Sequence, residues 1–307
     1  MKKTVALFLA ISFIFCVVAA PLSHAGPWTL KKGKLWTELY GKYFFSKNYA
    51  DPKAKAHKWG DGGFSRIYNL EGKIEYGITD KLNCRLSVPY VWSRWKNDWG
   101  KVRADWGKFK HEGFQHIGLA LKYRFLEKHL TMAAWGQVLI QPRSTDTVAP
   151  PDIMEYGDGI EARCLIGKSF HVFKKPAYVS TELGYLWRTD WIAKSPYANQ
   201  MIVFGEGGIA IFDWLMIKSE VDMRYSHMRT GNRKDTLTWR IGPIFNLLGK
   251  GFSEVYKGGD ASLNLELQYG RTMWARGDGR GTGGVDNEKF HSVSLADEYI
   301  AKIQVLW

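Results

Sequence analysis

Apolar and polar residues alternate with a period of two along most of the chain. Between Leu70 and Ile78, apolar or small residues occupy the even positions, and Glu71, Lys73 and Glu75 lie between them. The segment from Leu82 to Trp92 repeats the pattern after the short turn Thr79-Asp80-Lys81. A period of two predicts β-strands with one apolar and one polar face, since an amphipathic helix would repeat every 3.6 residues.

The same pattern predicts twelve strands along the chain. They lie near residues 34–46, 66–78, 81–93, 114–126, 129–141, 159–171, 177–188, 199–212, 214–227, 236–246, 260–271 and 292–307. Long polar segments follow the odd-numbered strands, and short turns follow the even-numbered ones apart from a longer connection at 247–259. This alternation, with an even strand count, is typical of outer-membrane barrels, whose termini both lie in the periplasm. We therefore predict an all-β fold, a single antiparallel transmembrane β-barrel of about twelve strands.

The first 25 residues have the pattern of a secretory signal peptide. Lys2 and Lys3 precede an apolar run over residues 5–20, and Ser23-His24-Ala25 forms a cleavage pattern of small residues. The run is shorter than the ~20 residues that a helix needs to cross a bilayer core. We therefore expect residues 1–25 to be removed and residues 26–307 to form an outer-membrane β-barrel.

The last predicted strand ends on an aromatic residue. Every second residue from Tyr299 to Trp307 is apolar, and Lys302 and Gln304 lie on the opposite face. This resembles the C-terminal aromatic signal that bacterial outer-membrane barrels present to their assembly machinery. We predict that Trp307 serves as an assembly signal.

The polar face of the predicted strands carries charges of both signs. A single ion in a dry core costs several kcal/mol, so this face must be wet or closely paired. Glu75 and Arg85 are within pairing distance across the second hairpin. We expect a polar lumen whose lining includes Glu75, Arg85, Arg124, Glu182, Arg224 and Arg240.

Composition narrows the class of protein further. The 307 residues include 14 Trp and 32 Gly but only three Cys, which excludes a disulfide framework and a multi-cysteine zinc module. Cys84 and Cys164 fall on the apolar face of separated strands, so we expect free thiols. The formal charge is +13. Since the positive and negative charges of the lumen nearly cancel, we expect the excess positive charge to lie in the loops and turns.

The second external loop combines tryptophan with basic residues. Trp95, Trp99 and Trp106 lie among several Lys and Arg residues. Such interleaving also occurs in single-stranded nucleic-acid binding, but an exported barrel does not meet nucleic acid, and we expect no such partner. The loop is expected either to contact phosphates of outer-membrane lipids or to fold inward and narrow the pore. The sequence leaves both options open.

Several segments resemble a known family. They are residues 26–46, 75–93, 118–126 and 158–188, with Tyr76-Gly77 before a Thr-Asp turn and Pro89-Tyr90 near a strand end. The chain is similar to the outer-membrane transporters of the MetA-pathway of phenol degradation family. That resemblance implies a β-barrel and passage of small, often aromatic, compounds across the outer membrane. At Gln115-His116 the chain departs from the Gly-Asp of the family.

We therefore expect an outer-membrane channel for passive passage of small solutes, aromatic compounds among them, through a narrow charged lumen. The eight His lack the spacing of a metal site, and no Ser-His-acid motif is recognisable, so we expect neither an enzyme nor a cofactor or metal. The alternatives are a non-conducting barrel that acts as an adhesion or assembly scaffold, an outer-membrane hydrolase, and a soluble exported β-sandwich.

Overall fold

A computed structural model shows one closed antiparallel sheet. The structure describes residues 26–50, 53–58, 63–96, 108–142, 158–189, 198–227, 233–249, 252, 261–278 and 293–307. The strands are β1 (Leu35–Ala50), β2 (Ala56–Lys58), β3 (Phe64–Thr79), β4 (Leu82–Lys96), β5 (Lys108–Phe114), β6 (Ile117–Glu127), β7 (Thr131–Ile140), β8 (Asp158–Val172), β9 (Lys175–Thr189), β10 (Gln200–Phe212), β11 (Leu215–Ser226), β12 (Arg233–Leu248), β13 (Ser262–Asp278) and β14 (Val293–Leu306). Pairing of β14 with β1 closes the barrel. No helix in the described ranges is long and apolar enough to cross a membrane.

Twelve of these strands form the barrel wall, as predicted. The two extra strands, β2 and β5, are short and continue the lines of β3 and β6. The pairing of β1 with β3 ends at Ser46 and Ser65, and β2 pairs with β1 beyond that point. Likewise, β5 pairs with the part of β4 that β6 does not reach.

The fourth predicted strand, 114–126, is interrupted in the structure. Phe114 belongs to β5, and β6 begins at Ile117. Between them, the backbone N–H of Gln115 donates to the carbonyl oxygen of Pro89 on β4. Pro89 has no N–H with which to donate the reciprocal hydrogen bond to Gln115. The hydrogen-bond ladder between β4 and the β5–β6 segment therefore breaks at this position.

The two faces of the sheet have the polarity of a membrane-spanning barrel. Apolar side chains such as Ile74, Leu121 and Leu183 are exposed on the outer face. Charged side chains such as Lys218 and Glu266 are buried inside. No second sheet covers the outer face within the described ranges. The predicted faces are confirmed, and a closed barrel satisfies its backbone groups without water, as lipid requires.

Aromatic rings cluster towards both ends of the outer face. Phe212, Trp214 and Phe245 stack at one end, next to the turn between β10 and β11. Tyr43 stacks with Tyr299 towards the opposite end. Such girdles mark the two membrane interfaces of outer-membrane barrels.

One end of the barrel, here called the terminal end, carries the short turns and both ends of the described chain. Phe173 and Lys174 connect β8 and β9 with φ values of 49° and 65°. Two consecutive left-handed residues form the type I′ turn that suits a two-residue hairpin. The opposite end is called the loop end. Cys84 and Cys164 are free thiols, as expected.

Candidate functional site

Two adjoining cavities occupy the lumen of the barrel. The outer cavity, of about 290 Å³, is lined by strand segments next to the loop end, such as Gln200 and Ser294. The inner cavity, of about 400 Å³, lies closer to the terminal end. Asn69, Gln115 and Arg224 line both cavities, so the two meet at these residues. The lumen therefore holds a polar path that runs from the outer cavity into the inner one.

The inner cavity is lined by charges of both signs. The cations are Lys73, Arg85, Lys122, Arg163, Lys218, Arg224 and Lys302, and the carboxylates are Glu38, Glu71, Glu161, Glu182, Glu206 and Glu220. Most of these groups form ion pairs with each other or with carboxylates deeper in the wall. Nζ of Lys73, for example, lies 2.8 Å from Oε1 of Glu38. Pairing of this kind offsets the loss of hydration.

A buried ion cluster forms the wall along β10, β11, β13 and β14. The Nζ atom of Lys218, which is 1% exposed, lies 3.0 Å from a carboxylate oxygen of Glu206, 2.8 Å from one of Glu220 and 3.5 Å from one of Glu266. Nζ of Lys302 lies 2.8 Å from Glu266. Several ions are thus removed from water together, and the loss of hydration of each ion is offset by its oppositely charged neighbours.

On the opposite wall, an indole ring lies beside two guanidinium groups. The Cζ atoms of Arg85 and Arg163 are 5.2 and 5.0 Å from the ring centroid of Trp135. Arg163 also donates to Glu161 and, at 2.5 Å, to Glu182. Cation–π contact and ion pairing together hold these side chains at the cavity surface.

Residues 26–30 enter the terminal end of the lumen. Trp28 packs edge-on against Tyr178, with a centroid distance of 5.8 Å, and belongs to a buried cluster that includes Phe252. Leu30 is 2% exposed and packs against Trp36 of β1. Burial of each such side chain contributes about 1.5–3 kcal/mol. We call residues 26–30 together with Phe252 the terminal plug.

The turn between β3 and β4 fixes the position of the plug. The Thr29 hydroxyl donates to the carbonyl oxygen of Asp80, and the backbone N–H of Lys32 donates to its carboxylate, at 2.7 and 2.9 Å. At Gly77, a Cβ would overlap with the carbonyl oxygen of Lys31. Glycine is therefore required there for the close approach of the two backbones.

The six residues predicted to line the pore occupy different places. Arg85 and Glu182 line the inner cavity, Arg240 lines the outer one, and Arg224 lines both. Arg124 lies at the rim of the terminal end, where it donates to the carbonyl oxygen of Asp80 and pairs with Glu127. Glu75 is 2% exposed and lines neither of these two cavities.

The predicted cross-strand position of Glu75 and Arg85 is confirmed, but Glu75 forms its close ion pair with another residue. The two residues are cross-strand partners in the register of β3 and β4. The Glu75 carboxylate, however, accepts from Asn83 at 2.6 Å and lies 2.9 Å from Nζ of Lys122. The Arg85 side chain lies over the ring of Trp135 instead.

The remaining predicted residues lie at the two ends of the barrel. Trp307 closes the seam, because its backbone N–H donates to the carbonyl oxygen of Leu35 at 2.7 Å. The backbone of Trp95 belongs to β4. Trp99 and Trp106, like residues 1–25, lie outside the described residues.

Sequence reasoning missed the plug, Trp135 and the small residues beside it. Trp28 follows directly after the predicted cleavage site, but nothing in the sequence indicates that it turns into the lumen. Gly118 and Ala120 share the inward face of β6, and this pair of small residues was the available signal that larger side chains of the neighbouring strands cover them. In the described ranges, no group of three or more His, Cys, Asp or Glu residues is placed to hold a metal ion.

Comparison with known proteins gives matches in structure. No protein-family profile and no curated sequence matches the chain. The crystal structure of the COG4313 outer membrane channel from Pseudomonas putida F1 superposes with a TM-score of 0.63 at 11% identity, over 93% of this chain and 100% of that one. The NanC porin gives a TM-score of 0.47 at 8% identity, over 87% and 98% of the two chains. The toluene transporter TbuX of Ralstonia pickettii gives 0.42 at 10% identity, over 94% and 95%.

The first of these superpositions shows the fold. The chain has the fold of a bacterial outer-membrane β-barrel, in agreement with its apolar outer face and closed sheet. What passes through the lumen depends on the side chains that line it, because a shared fold does not fix function.

Proposed function

We propose that the protein is an outer-membrane channel through which small polar solutes diffuse passively. The observation that carries this proposal is the pair of adjoining polar cavities inside a closed barrel whose outer face is apolar. A barrel that only anchored a scaffold would have no need for connected, charge-lined space along its axis. In the membrane the loop end faces outward and the terminal end faces the periplasm.

The route runs through the outer cavity, past the junction at Asn69, Gln115 and Arg224, into the inner cavity. Arg85, Glu182, Arg224 and Arg240 border it. Twelve strands lie between the eight of a side-chain-filled barrel and the 16 to 18 of an open porin, so the route is narrow.

Passage to the periplasm requires the terminal plug to move. Residues 26–30 pack against the barrel interior, and two hydrogen bonds, one from Thr29 and one from the nearby Lys32, hold this part of the chain to Asp80. A short segment held by a few contacts can open locally at much lower free energy than the barrel. Removal of residues 1–25 gives the segment a free end, and the last strand with Trp307 directs the chain to the assembly machinery.

The solutes are small, and aromatic compounds are among the candidates. The cavity volumes lie near the lower end of the range for small-molecule sites, which suits compounds of the size of a single ring with one polar substituent. The resemblance to transporters of phenol-degradation pathways supports the same class.

Conductance of the refolded protein in planar bilayers tests the proposal, together with solute flux into liposomes. We expect discrete channel events. Arg224→Ala, at the junction of the cavities, should shift the reversal potential in a salt gradient. Arg271→Gln, at an exposed position on β13, is the matched control and should leave it unchanged. Correctly folded protein without conductance or flux would favour the scaffold alternative.

A further inference from the structure

Part of the inner cavity, here called the recess, is bordered by side chains of β4 and β7, namely Arg85, Ser87, Trp135 and Gln137. The strand register places Arg85, Ala120 and Gln137 side by side, and Ser87 next to Gly118. A Cβ at Gly118 would overlap with Nε2 of Gln137 and lie 2.5 Å from Oγ of Ser87. The absence of a side chain at Gly118 therefore makes room for Gln137 and Ser87, which line the inner cavity together with Arg85.

Arg85 supplies a guanidinium group that forms no close ion pair with a carboxylate among the described residues. Each of the other six cations of the inner cavity lies within 4.0 Å of a carboxylate. Among the described residues, no carboxylate lies that close to Arg85. Its cross-strand partner Glu75 is engaged by Lys122 and Asn83.

Hydrogen-bond donors around the recess point to an anionic ligand. The Nε–H of Arg85 is buried and donates no hydrogen bond within the described part of the chain. The hydroxyl of Ser87 and the amide of Gln137 meet above Gly118. A guanidinium fork with two neutral donors matches the oxygens of a carboxylate, which binds arginine in a bidentate manner.

We propose that this recess binds a small organic monocarboxylate as a station along the route through the barrel. The carboxylate contacts Arg85, Ser87 and Gln137, and the organic part extends along the edge of Trp135 into the cavity. Among the described cations of the inner cavity, Arg85 alone lies within 4.0 Å of no carboxylate, which favours a ligand with one negative charge. Glu161, which follows Gln137 in the same cross-strand row, disfavours a second one. This inference names a class of solute for the proposed function. It rests on that function in one respect, namely that the bound carboxylate is on its way through the barrel.

Binding of benzoate to the refolded protein in detergent tests the site, measured by isothermal titration calorimetry and saturation-transfer NMR. Loss of a charge-assisted hydrogen bond in Arg85→Gln should weaken binding about 10- to 100-fold. Arg85→Lys, which keeps the charge and loses the fork, should give an intermediate affinity. Arg124→Gln removes an arginine at the rim of the terminal end and should bind like the wild type.

Two further measurements make the test specific. Ser87→Ala is a small change that the fold tolerates, and it should weaken benzoate binding several-fold. Benzyl alcohol has the same ring without the charge and should bind at least 10-fold more weakly than benzoate. Heat-modifiable gel mobility verifies that each variant has folded.

Equal benzoate affinity of the wild type and Arg85→Gln would overturn the proposal, as would equal affinity for benzyl alcohol and benzoate. If Arg124→Gln lost as much benzoate affinity as Arg85→Gln, binding would reflect general electrostatic attraction and not a specific site. Binding does not depend on conduction. Bound benzoate without conductance would leave the site in place and refute the channel, whereas conductance without benzoate binding would do the reverse.

Discussion

Replacement of Lys218 by Met tests whether the ion cluster on the lumen wall is dry. The side chain is 1% exposed, and its ammonium group lies within 3.5 Å of carboxylates of Glu206, Glu220 and Glu266. Met has a similar length and no charge, so the substitution removes the charge and leaves the packing nearly unchanged.

The three carboxylates would be affected unequally. Glu266 and Glu220 keep contacts to Lys302, at 2.8 and 3.5 Å. Glu206 keeps the hydroxyl of Ser180, which donates to it at 3.2 Å. A buried ion that loses its partner costs about 3–5 kcal/mol, whereas an ion pair in water contributes about 0–1 kcal/mol. A dry cluster therefore predicts a much larger loss of stability for Lys218→Met than a cluster that water reaches.

Urea unfolding in lipid vesicles, followed by tryptophan fluorescence, measures the free energy of unfolding. We expect Lys218→Met to lower it by about 3–5 kcal/mol. The double variant Lys218→Met with Glu206→Gln should recover most of that loss, because the stranded charge is gone. Lys128→Met, at an exposed turn position, is the control and should change the free energy by less than about 0.5 kcal/mol.

A loss below about 1 kcal/mol for Lys218→Met would mean that water reaches the cluster. So would a double variant as unstable as the single one. Either result would refute the assignment of this wall as a dry, paired network.

The remaining predictions concern the plug, the outer face and the seam. The double variant Trp28→Ala with Phe252→Ala should increase single-channel conductance in planar bilayers, because it removes the two largest plug side chains. An unchanged conductance would show that the plug does not limit flow. Leu121→Arg on the outer face should lower the free energy of unfolding in vesicles by about 2–4 kcal/mol. The same change at Phe173, a fully exposed turn residue, should have little effect. Trp307→Ala should slow assembly of the folded, heat-modifiable form in cells, and assembly at the wild-type rate would remove its role as a signal.

Local alternation was sufficient to predict the wall of the barrel. A strand presents successive side chains to opposite faces, so Ile74 and Glu75 had to lie on different sides of any sheet that contained them. The alternation of long and short connections also predicted a closed barrel with an even number of strands, because both termini then lie at the same end. These features depend only on neighbouring residues and on connection lengths.

The interruption at Gln115 could not be predicted from its own strand. It arises because Pro89, on the neighbouring strand, lacks the N–H that the ladder needs. The ion partner of Glu75 was missed for a similar reason. The strand register predicts that Arg85 faces Glu75. The Glu75 carboxylate nevertheless contacts Lys122 and Asn83, because the length and direction of the side chains decide which groups meet.

The sequence by itself therefore determined the strands, their faces and the membrane-spanning class, because each follows from the period of the backbone. Only the tertiary structure decided which charges neutralise each other, where the recess beside Arg85 lies, and that residues 26–30 enter the lumen. Those features depend on distances between strands that are far apart in the chain, and a closed barrel fixes such distances only once all twelve wall strands have paired.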